Sequence, residues 1–278
     1  MNVPRSAGPS RWSSARRLAA VVVPPFGLLA IVIGLWYFVS YVVLIPLRRF
    51  LLRPPHEVVA TGFLDGHNFV EIITATWSSL QVAFIGLTLS FLLGVGIAVL
   101  MSQSKLVERA VFPFMVTLQA VPILAIVPLI SFWRGTGQEA RVIVCVIISI
   151  FPIVLNTLFG LVSADPGLHD LATLHGAGRL TRLRKVMFPA ALPAMFAGLR
   201  ISAGLSVIGA IVGDFFFGRG DVGIGQRIRQ YSLGLDGEKL VASVIVTSLL
   251  GVAVFLAFGA LQTRMIGKWY DAKSGSGR

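Results

Sequence analysis

The sequence is short of charge. Asp, Glu, Lys and Arg make up 13% of its 278 residues, against about 25% in an ordinary soluble domain. A soluble fold of this length could not cover its surface with so few charged groups; a bilayer removes the need, because a surface in lipid is apolar. Cysteine is nearly absent. The single Cys145 lies inside an apolar run, which rules out a disulfide framework and points to a small packing residue. There is no G-x-x-x-x-G-K-[ST] loop, so the chain does not bind ATP in that way. His169 and His175 have no cysteine or second carboxylate at ligand spacing, so neither a metal site nor a cofactor is expected. No cluster of His, Ser and carboxylate lies at one depth, so no covalent chemistry is expected either. No internal repeat or low-complexity segment stands out apart from the Gly/Ser tail after Asp271.

What the chain has is apolar residues, 55% of the total, and an excess of basic ones, with a net charge of +12. The basic residues do not gather on one face. They sit at the ends of long apolar runs, where positive charge orients membrane helices and meets anionic headgroups. The expected partner is membrane lipid and not nucleic acid.

Charge-free runs give the spans, since about 20 helical residues cross the hydrocarbon. They are Leu18 to Leu47, Ile72 to Ser104, Ala110 to Trp133, Val142 to Ala164 and Leu240 to Thr263, with a sixth, Ala194 to Phe217, interrupted by Arg200 and Asp214. The runs are continuous and do not alternate, and backbone groups in lipid must be satisfied internally, so helices are expected and not a barrel. The expected fold is all-α with six transmembrane helices. The first run is too long for a cleaved signal peptide and reads as an uncleaved span after a basic tail over 1–17. With both termini in the cytosol, fourteen Lys and Arg fall inside and nine outside.

The longest inner segment, 163–193, reads SADPGLHDLATLHGAGRLTRLRKVMFPAALP. Asp165 and Pro166 start a short helix, Gly176 and Gly178 break it, and a basic helix follows from Arg179 with Leu180, Leu183 and Met187 at helical spacing. Pro189 and Pro193 are expected to close the unit. A helix–turn–helix with this little apolar surface cannot fold alone. It suits a groove on another protein, or alternatively lies on the lipid surface.

This segment resembles the cytoplasmic EAA loop of ABC importer permeases of the binding-protein-dependent (MetI-like) superfamily. Asp170, Leu171 and Ala172 stand for the Glu-Ala-Ala triplet. Gly176 follows after three residues, Val186 after nine more, and Pro189 closes the pattern. Leu171 is the larger departure, a bulkier side chain at the docking face. Gln119 to Ala140, Phe151 to Pro166 and Phe196 to Phe216 are similar to the third, fourth and fifth spans of the nitrate/sulfonate/taurine group, and the likeness covers about residues 70–265. The resemblance implies a type I importer permease in the cell membrane. Its partners would be a cytoplasmic ABC ATPase seated against the loop, an extracytoplasmic substrate-binding protein, and a second permease subunit, a homodimer or a similar chain. It implies a small cargo such as nitrate, a sulfonate or taurine, with a pyrimidine-type thiamine precursor as the alternative. An ion-driven secondary transporter would instead need an inverted repeat and paired broken helices.

Polar groups and prolines inside spans are candidates for the translocation path: Gln119, Pro122, Pro128, Asn156 and Asp214. For Gln119 and Asn156 an interhelical hydrogen bond is an equal alternative, and for Gln81 it is the preferred one. Pro152, like Pro122 and Pro128, is expected to bend its helix. Arg200 and Asp214, 14 residues and about 21 Å apart on a helix, are expected to snorkel to opposite interfaces, with gating or pairing as the alternative. Gly218, Gly220 and Gly223 spell G-x-G-x-x-G without a preceding strand, so that motif is discounted. The outer Arg48, Arg49, Arg53, Arg227 and Arg229 suit either an acidic binding-protein face or anion attraction.

Overall fold

The computed structural model describes the backbone of residues 11–274 and the side chains of 23–266. The 1–10 part of the basic tail and the Gly/Ser end lie outside these residues. Every regular element among them is helical, and five helices are long and apolar enough to cross a membrane, or six when one bent pair counts as a single span.

The first, α1 (Arg11–Phe38), runs into a π-helical turn at Val39–Val43. Its apolar stretch Val23–Val43 is only 6% buried within the chain, as expected of a helix that meets lipid or another protein. The connection to the next span folds back through a 3-10 turn (Pro46–Leu51), the short α2 (Pro55–Val59) and a π turn (Ala60–Leu64). It is pinned to the end of α1 by Trp36 Nε1 donating to the Arg53 carbonyl at 2.9 Å and Ser40 Oγ to that of Leu52 at 2.9 Å. Asp65 caps α3 (Gly66–Gln103), accepting from the His67 and Asn68 amides, as a carboxylate does at a helix N-terminus.

The third predicted span is not one rod. It comprises α4 (Lys105–Ala120) and α5 (Ile123–Arg134), bent by 100° at Val121–Pro122. Proline has no N–H to donate and forces the residue before it out of the α region; Val121 sits at φ −71°, ψ 126°. By contrast α6 (Gln138–Val162) runs unbroken through Pro152.

The hairpin follows: α7 (Pro166–Leu174), a turn, then α8 (Arg179–Arg182). Pro189 and Pro193 do not close the unit, contrary to expectation. The chain passes from α8 through a π turn at Leu183–Met187 straight into α9 (Phe188–Phe216), and Arg179–Phe216 is one continuous 38-residue helix. Within the π turn the Phe188 amide reaches back to the Leu183 carbonyl, which resets the hydrogen-bond ladder just before the residue that cannot donate. On the opposite side of the bundle lie α10 (Ile224–Leu233) and then the last span, α11 (Gly237–Ser274).

The packed centre is α3, α6 and α9, which cross at Cys145. A Cβ on Gly209 would lie 2.8 Å from the Cys145 Cα, and one on Gly86 would collide with its Cβ. Small residues let helix backbones approach closely, which is the source of association where no hydrophobic drive between helices exists. Fully buried Cys145 packs with Val82, Ala83, Val207 and Ala210, the role expected of it.

Candidate functional site

The two ends of the bundle present different chemistry. At the end holding α7 and α8, the Asp165 carboxylate accepts from the Gly167 amide at 2.7 Å and starts α7. The far end of α7 is closed by two crossed bonds: the Ala177 amide to the Ala172 carbonyl at 2.8 Å, and the Gly176 amide to that of Thr173 at 2.9 Å. This is a Schellman cap, which needs a left-handed residue at the position Gly176 occupies; its φ is +62°. Nothing crowds the space a Gly176 side chain would enter, so glycine is required there by backbone angle and not by packing. Ala172, the last residue of the triplet pattern, supplies one of the capped carbonyls.

No residue of α7 is buried. Leu168, Leu171 and Leu174 are 48%, 50% and 85% exposed, and at i, i+3 and i+6 they form one apolar stripe. Asp170 is exposed beside it, while Val186 and Pro189 are half-buried at the root of the second helix. Sequence reasoning therefore names the hairpin residues, and the structure groups them on one projecting element.

The candidate path residues do not form one site. Gln119 and Pro122 stand at the bend between α4 and α5, and they and Pro128 are exposed. Asn156 donates to the Pro152 carbonyl of its own helix at 2.8 Å and lines a cleft with Arg200 near the hairpin. Gln81 is not an interhelical bond: it is exposed and lines an outer cleft of about 400 Å³ with Glu71, Trp77 and Arg227.

Asp214 neither snorkels nor faces an open path. Its side chain is fully buried, 3.3 Å from Arg141 Nη1, which is 1% exposed. Ser79 Oγ donates to its other oxygen and accepts from the Ile224 amide at 2.8 Å. Arg141 also donates to the Asp221 carbonyl at 2.7 Å and that of Arg219 at 2.8 Å. A carboxylate and a guanidinium shut away from water persist only when paired and hydrogen-bonded, and here three helices and the loop after α9 supply the partners. The glycine-rich loop serves this cluster and no nucleotide: a Cβ on Gly223 would fall on the Asp214 carboxylate. Arg141 and Ser79 are the partners of Asp214 that the sequence did not reveal. Arg141 stands just before an apolar run, where an arginine ordinarily flanks a span, and the one available signal was the need of Asp214 for a cation.

Around this cluster other charges at the same end of the bundle are internally paired. Arg227 meets Glu71 at 2.8 Å, and Arg53 meets Glu57 at 3.2 Å and Glu238 at 3.0 Å, which leaves Arg53 and Arg227 less free for a partner than the sequence suggests. Burial, and then the Glu71 carboxylate, push the Tyr231 hydroxyl on α10 up to about 12.

Comparison with known proteins adds to this geometry. Residues 86–267 match the family described as binding-protein-dependent transport system inner membrane component. The chain is 34% identical over 220 residues to the formylaminopyrimidine transport permease protein of Halalkalibacterium halodurans, covering 79% of this chain and 86% of that protein. It is 30% identical to the nitrate import permease protein of Leptolyngbya laminosa, covering 68% and 67%. In fold it is similar to a chain of the inward-facing MetNI methionine ABC transporter, with a TM-score of 0.61 and 18% identity over 69% of this chain and 94% of that one. With its all-helical bundle and projecting hairpin, the chain belongs to the family of binding-protein-dependent inner membrane components and is the multi-pass, non-enzymatic permease subunit of an ABC importer.

Proposed function

We propose that the α7–α8 hairpin is the handle by which a separate cytoplasmic ATPase moves this bundle, and that Asp170, Leu171, Ala172, Gly176, Val186 and Pro189 form it. The observation that carries the reading is the stripe of Leu168, Leu171 and Leu174, which no part of the chain covers among the described residues. Three exposed leucines on one turn-capped helix are costly in water and suit an apolar groove. Leu171, bulkier than the family pattern, adds area to that face. Because Arg179–Phe216 is one unbroken helix, a push on the hairpin passes directly into α9 as rigid-body motion.

The remaining assignments follow this orientation. The permease core spans 70–265, the first span 18–47 stands outside it, the coupling loop is 163–193, and the ends over 1–17 and 266–278 are cytoplasmic. The opposite face, carrying α2 and α10, receives a substrate-binding protein. A second permease, a copy of this chain, completes the path, with Gln119, Pro122, Pro128 and Asn156 as its candidate lining. Asp214 serves by holding the outer end closed upon itself.

The cargo is a small solute of the nitrate, sulfonate or taurine kind, in keeping with the nitrate permease relative. A pyrimidine-type thiamine precursor is the second reading, favoured by higher identity over a larger share of the chain to the formylaminopyrimidine permease. Uptake of radiolabelled taurine, nitrate and formylaminopyrimidine by cells carrying the full transporter separates the two. The coupling assignment is tested by co-purification with a co-expressed ABC ATPase. Wild type retains it and Gly176→Pro loses both ATPase and uptake; unchanged uptake in the variant refutes the hairpin's role.

A further inference from the structure

Asp214 has its counter-charge; the other charged residue of α9 has none. Arg200 makes no ion pair or hydrogen bond among the described residues, and its Nε is both shut off from solvent and unpartnered. It is nevertheless held in place. Its guanidinium carbon lies 4.0 Å over the centre of the Phe255 ring. A Cβ on Gly259, one turn further along α11, would lie 3.0–3.2 Å from its Cζ, Nε and Nη2. An aromatic face and a gap one turn apart thus hold the guanidinium flat against α11, an arrangement suited to a planar, weakly hydrated cation.

The held arginine lines a cleft of about 770 Å³ between α6, α9 and α11. Among the described residues the other polar groups of the cleft are Asn156, Ser163, Gln262 and Thr263, and no acidic side chain lines it. Ser163 and Thr263 donate to carbonyls of their own helices. Gln262 makes no hydrogen bond among the described residues, so it and Arg200 keep donors for something else. Arg200 stands 16 residues from Phe216 at the outer mouth, about 24 Å along the helix. In a hydrocarbon layer of about 30 Å that depth lies about 6 Å inside the edge on the hairpin side, from where a long cationic side chain reaches toward the phosphates of that leaflet.

An unpaired cation, positioned by its own protein beside free amide donors and without a carboxylate near it, is complementary to an oxyanion. We propose that this cleft binds one oxyanion: the phosphate of a phospholipid from the adjoining leaflet, or a soluble anion of the same chemistry. Only the name of that leaflet rests on the orientation proposed above; the site itself depends on neither the ATPase nor the cargo.

The test uses the full chain purified in dodecyl maltoside. Native mass spectrometry measures retention of dioleoyl phosphatidylglycerol against dioleoyl phosphatidylcholine, and thermal unfolding is followed with sodium sulfate against sodium chloride at equal ionic strength. Wild type retains phosphatidylglycerol preferentially or is stabilised by sulfate. Arg200→Gln weakens that binding by roughly tenfold or more, the loss expected for a charge-assisted hydrogen bond. Arg200→Lys falls between, because it keeps the charge without the fork. Arg134→Gln, an exposed arginine at the other end of the bundle, changes neither reading. A sulfate response lost in Arg200→Gln assigns the site to a soluble anion, and a loss confined to phosphatidylglycerol assigns it to lipid. The proposal is overturned if Arg200→Gln binds both probes like wild type, or if Arg134→Gln loses as much as Arg200→Gln.

Discussion

Helix α9 carries Asp214 toward its outer end and Arg200 toward the hairpin, and the protein treats the two in opposite ways. Asp214 is enclosed by Arg141, Ser79 and a glycine-rich loop, with each side-chain oxygen engaged. Arg200 rests on an aromatic ring at the edge of an open cleft and has no counter-charge among the described residues. The same contrast separates the ends of the whole molecule. The end holding Asp214 pairs Arg141, Arg227 and Arg53 internally, whereas the hairpin end leaves a cation, three leucines and a glycine-dependent turn uncovered among the described residues. Internal pairing makes a rigid body. Unspent groups make a surface to which something else can attach.

Breaking the outer cluster should have the largest effect. Asp214→Ala strands the Arg141 guanidinium and is expected to cost about 3–5 kcal/mol, read as a fall in the midpoint of thermal unfolding in detergent. Arg200→Ala strands nothing and should cost no more than about 1 kcal/mol in the same assay; equal losses would erase the comparison. The double variant Arg141→Met with Asp214→Leu should recover part of the single loss, since an apolar pair avoids the desolvation of two ions, although the Asp221 and Arg219 carbonyls then lose their donor.

The next effect in size comes from packing alone. Gly223→Ala places a methyl where the Asp214 carboxylate sits and should destabilise the protein by about 1–3 kcal/mol with no change of charge. At the hairpin, Gly176→Ala forces a side chain into the left-handed region at about 1–2 kcal/mol. Because nothing packs there, the expected readout is weaker ATPase retention with a nearly unchanged unfolding midpoint. A large midpoint shift would mean that the hairpin is braced by the bundle.

The smallest effect is the pH dependence of Tyr231. Its hydroxyl is raised from the ordinary 10 to about 12 by burial and by Glu71, so the folded state holds this proton more tightly than the unfolded chain. Its contribution is complete below pH 10 and is lost as pH rises toward and through about 12. Tyr231→Phe should flatten the stability curve over that window and leave it unchanged below.

Much of this was legible in the residues. Charge-free runs located the spans because hydrocarbon tolerates little else over 20 Å or more. Asp165, Pro166 and Gly176 marked the hairpin because caps and left-handed turns are local properties. The bend at Pro122 was likewise signalled by proline, although the same signal at Pro189 misled, since the helix runs on through it. A missing N–H can be absorbed by a neighbouring turn, as the π turn before Pro189 does, or within a helix that continues without a break, as α6 does at Pro152.

The sequence by itself determined the solvent this protein lives in, the helices that cross it and the element that projects from it, because hydropathy, capping and turn preferences act over a few residues. Only the tertiary structure decided the fate of the charges. Asp214 meets Arg141 across 73 residues and Ser79 across 135, while Arg200 meets Phe255 and, among the described residues, no carboxylate. Pairing is a matter of distance in space, and in a helical bundle that distance is set by how the helices cross.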